Sequence, residues 1–167
     1  MKKCWVIAFT LLLSACGFHL RGHAPLPSKL HRMQLISASP YDAFSKTLIQ
    51  SFSQNGASLS VKPIQGAYQL VIDQANSTQK TIGLSSGMQS PHYEIGFALR
   101  YHVNNGKGRV LLKEQHVQRT RMTSTTNLNM GGDAKNALEM QQLMEDVATQ
   151  LILQLRSTST LKQLNKG

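Results

Sequence analysis

Tyr93-Glu94-Ile95-Gly96-Phe97-Ala98-Leu99-Arg100-Tyr101-His102-Val103 is the stretch on which the reading of the fold turns. Tyr93, Ile95, Phe97, Leu99, Tyr101 and Val103 fall at every second position, with Glu94, Gly96, Ala98, Arg100 and His102 between them. Successive side chains of a strand point to opposite faces, so this alternation predicts a long strand with one face in a core and the other against something polar. Directly after it, Asn104-Asn105-Gly106-Lys107-Gly108 offers glycines where a tight turn needs positive φ. The chain should therefore return as a hairpin through Val110, Leu111, Leu112 and Val117 towards Met122.

Working outward, Tyr68, Leu70 and Ile72 alternate with Gln69, Val71 and Asp73, a second strand, and Met33, Leu35 and Ile36 suggest a short first one. Between Asn76 and Pro91 the chain is rich in Ser, Gly and Thr and nearly uncharged, which reads as a loop. Ser39-Pro40-Tyr41-Asp42 has the form of a helix start, with Ser39 as N-cap, Pro40 in the first helical position and Asp42 as the reciprocal carboxylate. Phe44, Leu48, Ile49 and Phe52 then make one apolar stripe, and Asn55-Gly56 stops the helix. A second helix of roughly six turns follows Asp133, with Leu138, Met140, Leu143, Met144, Val147, Leu151, Ile152 and Leu155 on one side. The predicted order is β-α-β-β-β-α: an α+β fold with two helices packed on one face of a roughly four-stranded, largely antiparallel sheet.

The N-terminus carries a different signal. Lys2 and Lys3 precede the apolar run Trp5 to Leu13, which has the length of a secretory signal and is shorter than the roughly 20 apolar residues a membrane span needs. Leu13-Ser14-Ala15-Cys16 resembles the lipobox of bacterial lipoproteins, in which the Cys thiol takes a diacylglycerol and the freed amine a further acyl chain. Each buried methylene contributes about 0.8 kcal/mol, so one chain anchors marginally and two or more anchor stably. Gly17 follows Cys16, where an inner-membrane retention signal would have Asp, which by resemblance to enterobacterial sorting points to the outer membrane. The expected organisation is a signal peptide over 1–15, a lipidated tether over 16–31, a single domain over 32–157 and a loose polar tail over 158–167.

Without its first 15 residues the 167-residue chain is 152 long, enough for one core. Cys4 leaves with the signal and Cys16 is alkylated, so the mature domain has no thiol for a disulfide, a zinc site or a nucleophile. Lys and Arg number 18 against 8 Asp and Glu, and the formal charge of +10 becomes +8 once Lys2 and Lys3 are gone. Export takes the usual partner of a basic chain, nucleic acid, out of reach. Anionic lipid headgroups, lipopolysaccharide phosphates or an acidic protein surface remain, beside the plain alternative that the charge keeps the protein soluble.

Enzymatic chemistry finds little to stand on. The six histidines are scattered, no HExxH, G-x-S-x-G or G-x-G-x-x-G occurs, and the carboxylates form no evident pair. His19 and His23 are spaced i, i+4, but in a Pro/Gly-flanked tether where no helix is expected, so neither a metal nor any other cofactor is indicated. Cations do concentrate: Arg100, Lys107, Arg109, Lys113, Arg119 and Arg121 lie within twenty-two residues of one predicted hairpin, with Glu114 the only acid among them. Guanidinium forks match phosphate oxygens in pairs of hydrogen bonds. Arg100, Arg109, Lys113, Arg119 and Arg121, with Lys135 at the start of the last helix, are thus candidates to contact lipopolysaccharide phosphates or acidic groups. The competing explanation is a solvated strand edge whose cations deter aggregation.

Cys16-Gly17-Phe18-His19-Leu20-Arg21-Gly22 resembles the mature N-terminus of the LptE family of lipopolysaccharide-assembly lipoproteins. The order of elements is similar to that family, as is the final helix with Glu139, Met144, Asp146, Ala148, Gln150, Leu151 and Leu155. A basic residue that family members can carry before the central strand has no counterpart in Ser85-Ser86-Gly87-Met88. The resemblance implies a non-enzymatic outer-membrane lipoprotein, lipid-anchored on the periplasmic side. It would plug the LptD β-barrel, help it assemble, and bind lipopolysaccharide on its way to the outer leaflet. A freestanding envelope lipoprotein that binds another anionic component is the alternative.

Overall fold

In the computed structural model, which describes residues 26–83, 92–124 and 131–164, the quoted stretch lies in the middle of a three-stranded antiparallel unit. A 3-10 turn, Ser28–Leu30, leads into β1 (Arg32–Ser37), α1 (Ala43–Gln54), β2 (Ser58–Ser60), β3 (Tyr68–Gly83), β4 (His92–Asn104), β5 (Val110–Ser124), α2 (Gly131–Arg156) and α3 (Thr158–Leu164). The sheet order is β2-β1-β3-β4-β5. Along β4 the predicted alternation holds: Ile95, Phe97, Leu99, Tyr101 and Val103 are all buried, while Arg100 on the opposite face is exposed. Phe97 meets Phe44 of α1 with ring centroids 4.9 Å apart, and the Tyr101 hydroxyl donates to Gln154 Oε1 of α2 at 2.8 Å. Both long helices therefore cover the same face of the sheet.

The α+β class stands, with five strands where roughly four were expected. The extra one, β2, has a single apolar residue, Leu59, and is too short for a hydropathy period to mark it. β1 runs parallel to both β2 and β3, while the long β3–β4 and β4–β5 pairs are antiparallel. Parallel neighbours need a crossover, and α1 supplies it between β1 and β2.

Asn76–Gly83 is a correction: these residues continue β3, not a loop, and pair with β4 from Asn76↔Ala98 to Gly83↔His92. Asn76 through Ile82 are exposed on both faces, so main-chain bonding to β4 holds this part of the strand and side-chain hydropathy carries no trace of it. The rest of the expected loop, 84–91, lies outside the described residues.

Helix α1 starts three residues later than the sequence suggested. Asp42 is the N-cap, and its Oδ1 accepts from Ser45 N–H at 2.7 Å. Ser39 instead closes a preceding turn, its carbonyl accepting from Asp42 N–H at 3.3 Å and from the Ser45 hydroxyl at 3.0 Å. At the other end Gly56 takes φ 73°, which lets its N–H reach Ser53 O and the N–H of Ala57 reach Phe52 O.

Both ends of the domain exceed the expected bounds. Leu26 and Leu30, assigned to the tether, are 2% and 0% exposed and belong to the core. Residues 158–164, assigned to a loose tail, form α3, which buries Leu164 and Thr160 and packs against β5 and the end of α2. Each segment carries too few apolar residues to show a stripe, yet each finds a gap at the margin of the sandwich.

Candidate functional site

The strand period that builds the core also decides where the cations go. On β4 the core-facing residues are odd-numbered, so Arg100 points to the open face of the sheet, away from the helices. There it meets Gln74 Oε1 and, at 3.9 Å, Glu114 Oε1, and beside it His102 Nδ1 lies 2.9 Å from Asp73 Oδ2. On β5 Val117 and Thr123 are buried, so Arg119 and Arg121, in phase with them, lean to the helix side. Arg119 donates to Gln150 Oε1 at 2.7 Å, and Arg121 to Gln142 Oε1 and to Asp146 Oδ2 at 3.3 Å. Gln142, Asp146 and Gln150 recur every four residues on α2, one face of the helix, and so form a polar seam along β5.

The six candidate contacts thus do not converge. Arg100 is on the open face, Arg119 and Arg121 are engaged by α2, and Lys113 and Arg109 are exposed towards the β4–β5 turn. Lys135 is in the first turns of α2, with its side chain outside what is described, and Cys16, His19, His23 and Ser85-Ser86-Gly87-Met88 lie outside the described residues as well. Sequence proximity had grouped the cations; the two-residue period and a register shift near Val103 separate them.

The β4–β5 turn, by contrast, brings distant residues together. Asn105 Oδ1 accepts from the N–H groups of Lys107 and Arg109, both at 2.9 Å, and Gly108 has φ 80°. Gly106 is required for a different reason, close approach: a Cβ there would lie 2.6 Å from the carbonyl carbon of Gly66 in the loop before β3. Beside Gly66 a shallow depression of about 220 Å³ is lined by Lys29, Arg32, Ile64, Gln65, Ala67 and Tyr68. Lys29 and Arg32 therefore join the turn cations at one end of the molecule, a grouping without any signal in the local sequence.

Two further clefts lie between α1 and α2. One, of about 250 Å³, is bordered by Gln54, Asn55, Thr149, Ile152, Leu153 and Arg156; the other, of about 170 Å³, by Thr47, Gln50, Ser51, Gln54, Glu145 and Thr149. Arg156 donates to Asn55 Oδ1 at 2.7 Å, and burial lowers the pKa of its guanidinium. Burial likewise raises that of Tyr101 well above the ordinary tyrosine range. In the second cleft the Thr47 hydroxyl donates to Ala43 O at 3.0 Å and Glu145 Oε1 accepts from Gln141 at 3.2 Å, and among the described residues no three His, Cys, Asp or Glu gather to hold a metal ion. What this arrangement offers is surface: an open polar sheet face, a sealed helix face and a basic end.

A family model described as LptE, Lipopolysaccharide-assembly, matches residues 30–155, three quarters of the chain and nearly all of the described fold. The chain belongs to the LptE family. A relative named LPS-assembly lipoprotein LptE, from Photorhabdus laumondii, is 22% identical over 145 residues, covering 87% of this chain and 79% of that protein. Solved structures share the LptE-like fold at lower identity. A minor lipoprotein from Acinetobacter baumannii superposes with TM-score 0.64 at 14% identity, covering 78% of this chain and 92% of that one. Lipoprotein B from Nitrosomonas europaea does so with TM-score 0.61 at 19% identity, covering 87% and 92%. The match begins at Leu30, within the segment first read as tether, and ends at Leu155, so the LptE unit and the packed core nearly coincide.

Proposed function

We propose that this LptE-family chain is an outer-membrane lipoprotein, lipidated at Cys16 and anchored on the periplasmic side. It plugs an LptD-like β-barrel, helps it assemble, and binds lipopolysaccharide for insertion into the outer leaflet. The role is non-enzymatic. The single observation that carries the proposal is the family match over residues 30–155. The fold supports it physically: a two-layer domain with one sealed face and one open polar face suits the polar interior of a large barrel. Among the described residues no helix is long and apolar enough to cross a membrane, which is compatible with attachment through acyl chains.

Arg100, Arg109, Lys113, Arg119, Arg121 and Lys135 remain the proposed contacts for lipopolysaccharide phosphates or acidic barrel groups. Arg109 and Lys113 are exposed and take no part in the α2 seam, so charge reversal of these two is the cleaner probe of binding. The deciding experiment is extraction of the lipidated protein in mild detergent. The proposal expects a tight complex with a large barrel protein; recovery of the chain alone would favour a freestanding lipoprotein that binds another anionic envelope component.

A further inference from the structure

Strand direction gathers several chain ends at one pole of the domain. β1 begins there at Arg32, β3 begins beside it with Tyr68 opposite Met33, and β4 ends there with Asn104 opposite Gln69. α1 and α2 finish at the same pole, where Arg156 reaches Asn55 and Ser58 N–H donates to His31 O at 2.7 Å. The Gly66–Gly106 contact fastens the β4–β5 turn to the loop that borders Lys29 and Arg32, so Lys29, Arg32, Lys107 and Arg109 form one rim. Segments 26–34, 55–70, 103–113 and 150–164, which build this pole, contain no Asp or Glu at all. Asp42, Glu94 and, on α2, Asp133, Glu139 and Asp146 lie towards the other end; Glu145, midway along α2, borders the cleft with Gln54 and accepts from Gln141 at 3.2 Å; and Asp73 and Glu114 are engaged by His102 at 2.9 Å and Arg100 at 3.9 Å.

We propose that this basic pole is a contact surface for the anionic headgroups of the bilayer that carries the protein's own lipid anchor. The proposal rests on the reading of Cys16 as lipidated. Leu26, the first described residue, is at this pole, its carbonyl 2.6 Å from His31 Nε2. Ten peptide steps separate it from Cys16, which in any conformation span at most about 36 Å. The end of the domain bound closest to the membrane is thus the end without acids. Acyl chains and a basic patch are the two signals that together give stable attachment.

Two ordinary causes of surface cations fall short here. Helix C-termini attract positive charge, which accounts for Arg156 at the ends of α1 and α2 but not for a hairpin tip or a strand start. Protection of a strand edge accounts for Arg119 and Arg121 along β5, not for Lys107 and Arg109 in its turn.

The test uses the mature chain with Cys16→Ser, so that no acyl chain contributes; this chain keeps every core residue from Leu26 to Leu164. The chain is sedimented with phosphatidylcholine vesicles with and without phosphatidylglycerol. Binding is expected only to the phosphatidylglycerol vesicles, to weaken with salt, and to fall about fivefold for each of K107Q and R109Q, with thermal unfolding unchanged. K46Q and K80Q, which remove exposed cations away from the pole, should leave it unchanged. Equal losses from both pairs, or none from K107Q and R109Q, overturn the proposal. So does a loss seen with purified lipopolysaccharide but not with phosphatidylglycerol vesicles. Mass spectrometry of native Cys16 tests the anchor separately, since an unmodified sulfur would remove the reason for this pole to face a bilayer, whatever the vesicles show.

Discussion

Tyr101 shows how one buried polar atom ties the two layers together. Its ring is fully buried in the centre of β4, and its hydroxyl is held by Gln154 of α2 at 2.8 Å. Tyr101→Phe keeps the ring and loses the bond, so we expect a loss of about 1 kcal/mol in urea unfolding. Burial raises the Tyr101 pKa by disfavouring the phenolate, so the folded protein holds this proton more tightly than the unfolded chain does. The contribution to stability is full below the ordinary tyrosine value of about 10 and is lost as pH rises from there through the folded value. Alkaline unfolding between roughly pH 10 and 12 should therefore be steeper in the native protein than in Y101F; equal slopes would show that Tyr101 titrates as it does in the unfolded chain. The inward direction of Tyr101 was legible from alternation alone, whereas its partner lies 53 positions away and was not.

Among elements, α2 and α3 carry the clearest expectations. The seam from Arg119 and Arg121 to Gln142, Asp146 and Gln150 aligns α2 along β5, but its ion pair is exposed, with Arg121 and Asp146 side chains 40% and 52% accessible. Such a pair is worth no more than about 1 kcal/mol, and R121E should cost a similar amount through repulsion by Asp146. Hydrogen exchange in α2 near Asp146 should quicken in R121E and return towards the native rate in the R121E/D146R double variant; no recovery would mean that the pair does not couple the two elements. α3 is held by Leu164, 3% exposed, so Leu164→Ala should destabilise the domain by about 2 kcal/mol in thermal unfolding, whereas a loose tail would show no change. The amphipathic helices and β4 were readable because each repeats its pattern over many residues. β2, the end of β3 and α3 were not, because their stability comes from main-chain pairing or from one or two buried side chains.

At the scale of the whole molecule, the domain begins earlier than its sequence suggests. Leu26 and Leu30 close the core, so a chain beginning at Arg32 should unfold at lower urea than the mature chain, with a deficit of about 2 kcal/mol or more for each leucine lost. Coincident unfolding curves would return these residues to the tether. The distribution of charge is also a property of the whole fold. Along the chain the cations cluster most densely between Arg100 and Arg121, yet folding distributes that cluster among the open face, the α2 seam and the turn. It then joins Lys107 and Arg109 to Lys29 and Arg32 through two glycines 40 residues apart.

Local order determined the α+β class, the core face of β4, the apolar stripe of α1, that of α2 from Met140 onward, with Leu138 exposed instead, and the resemblance to LptE, because periodicity and short motifs depend only on neighbours along the chain. Tertiary structure alone decided the parallel placement of β1, the inclusion of Leu26, Leu30 and Leu164 in the core and the acid-free pole. Those features arise from strand register and from backbone contacts such as Gly66 with Gly106, where residues remote in sequence meet, and no local pattern encodes which remote residues will meet.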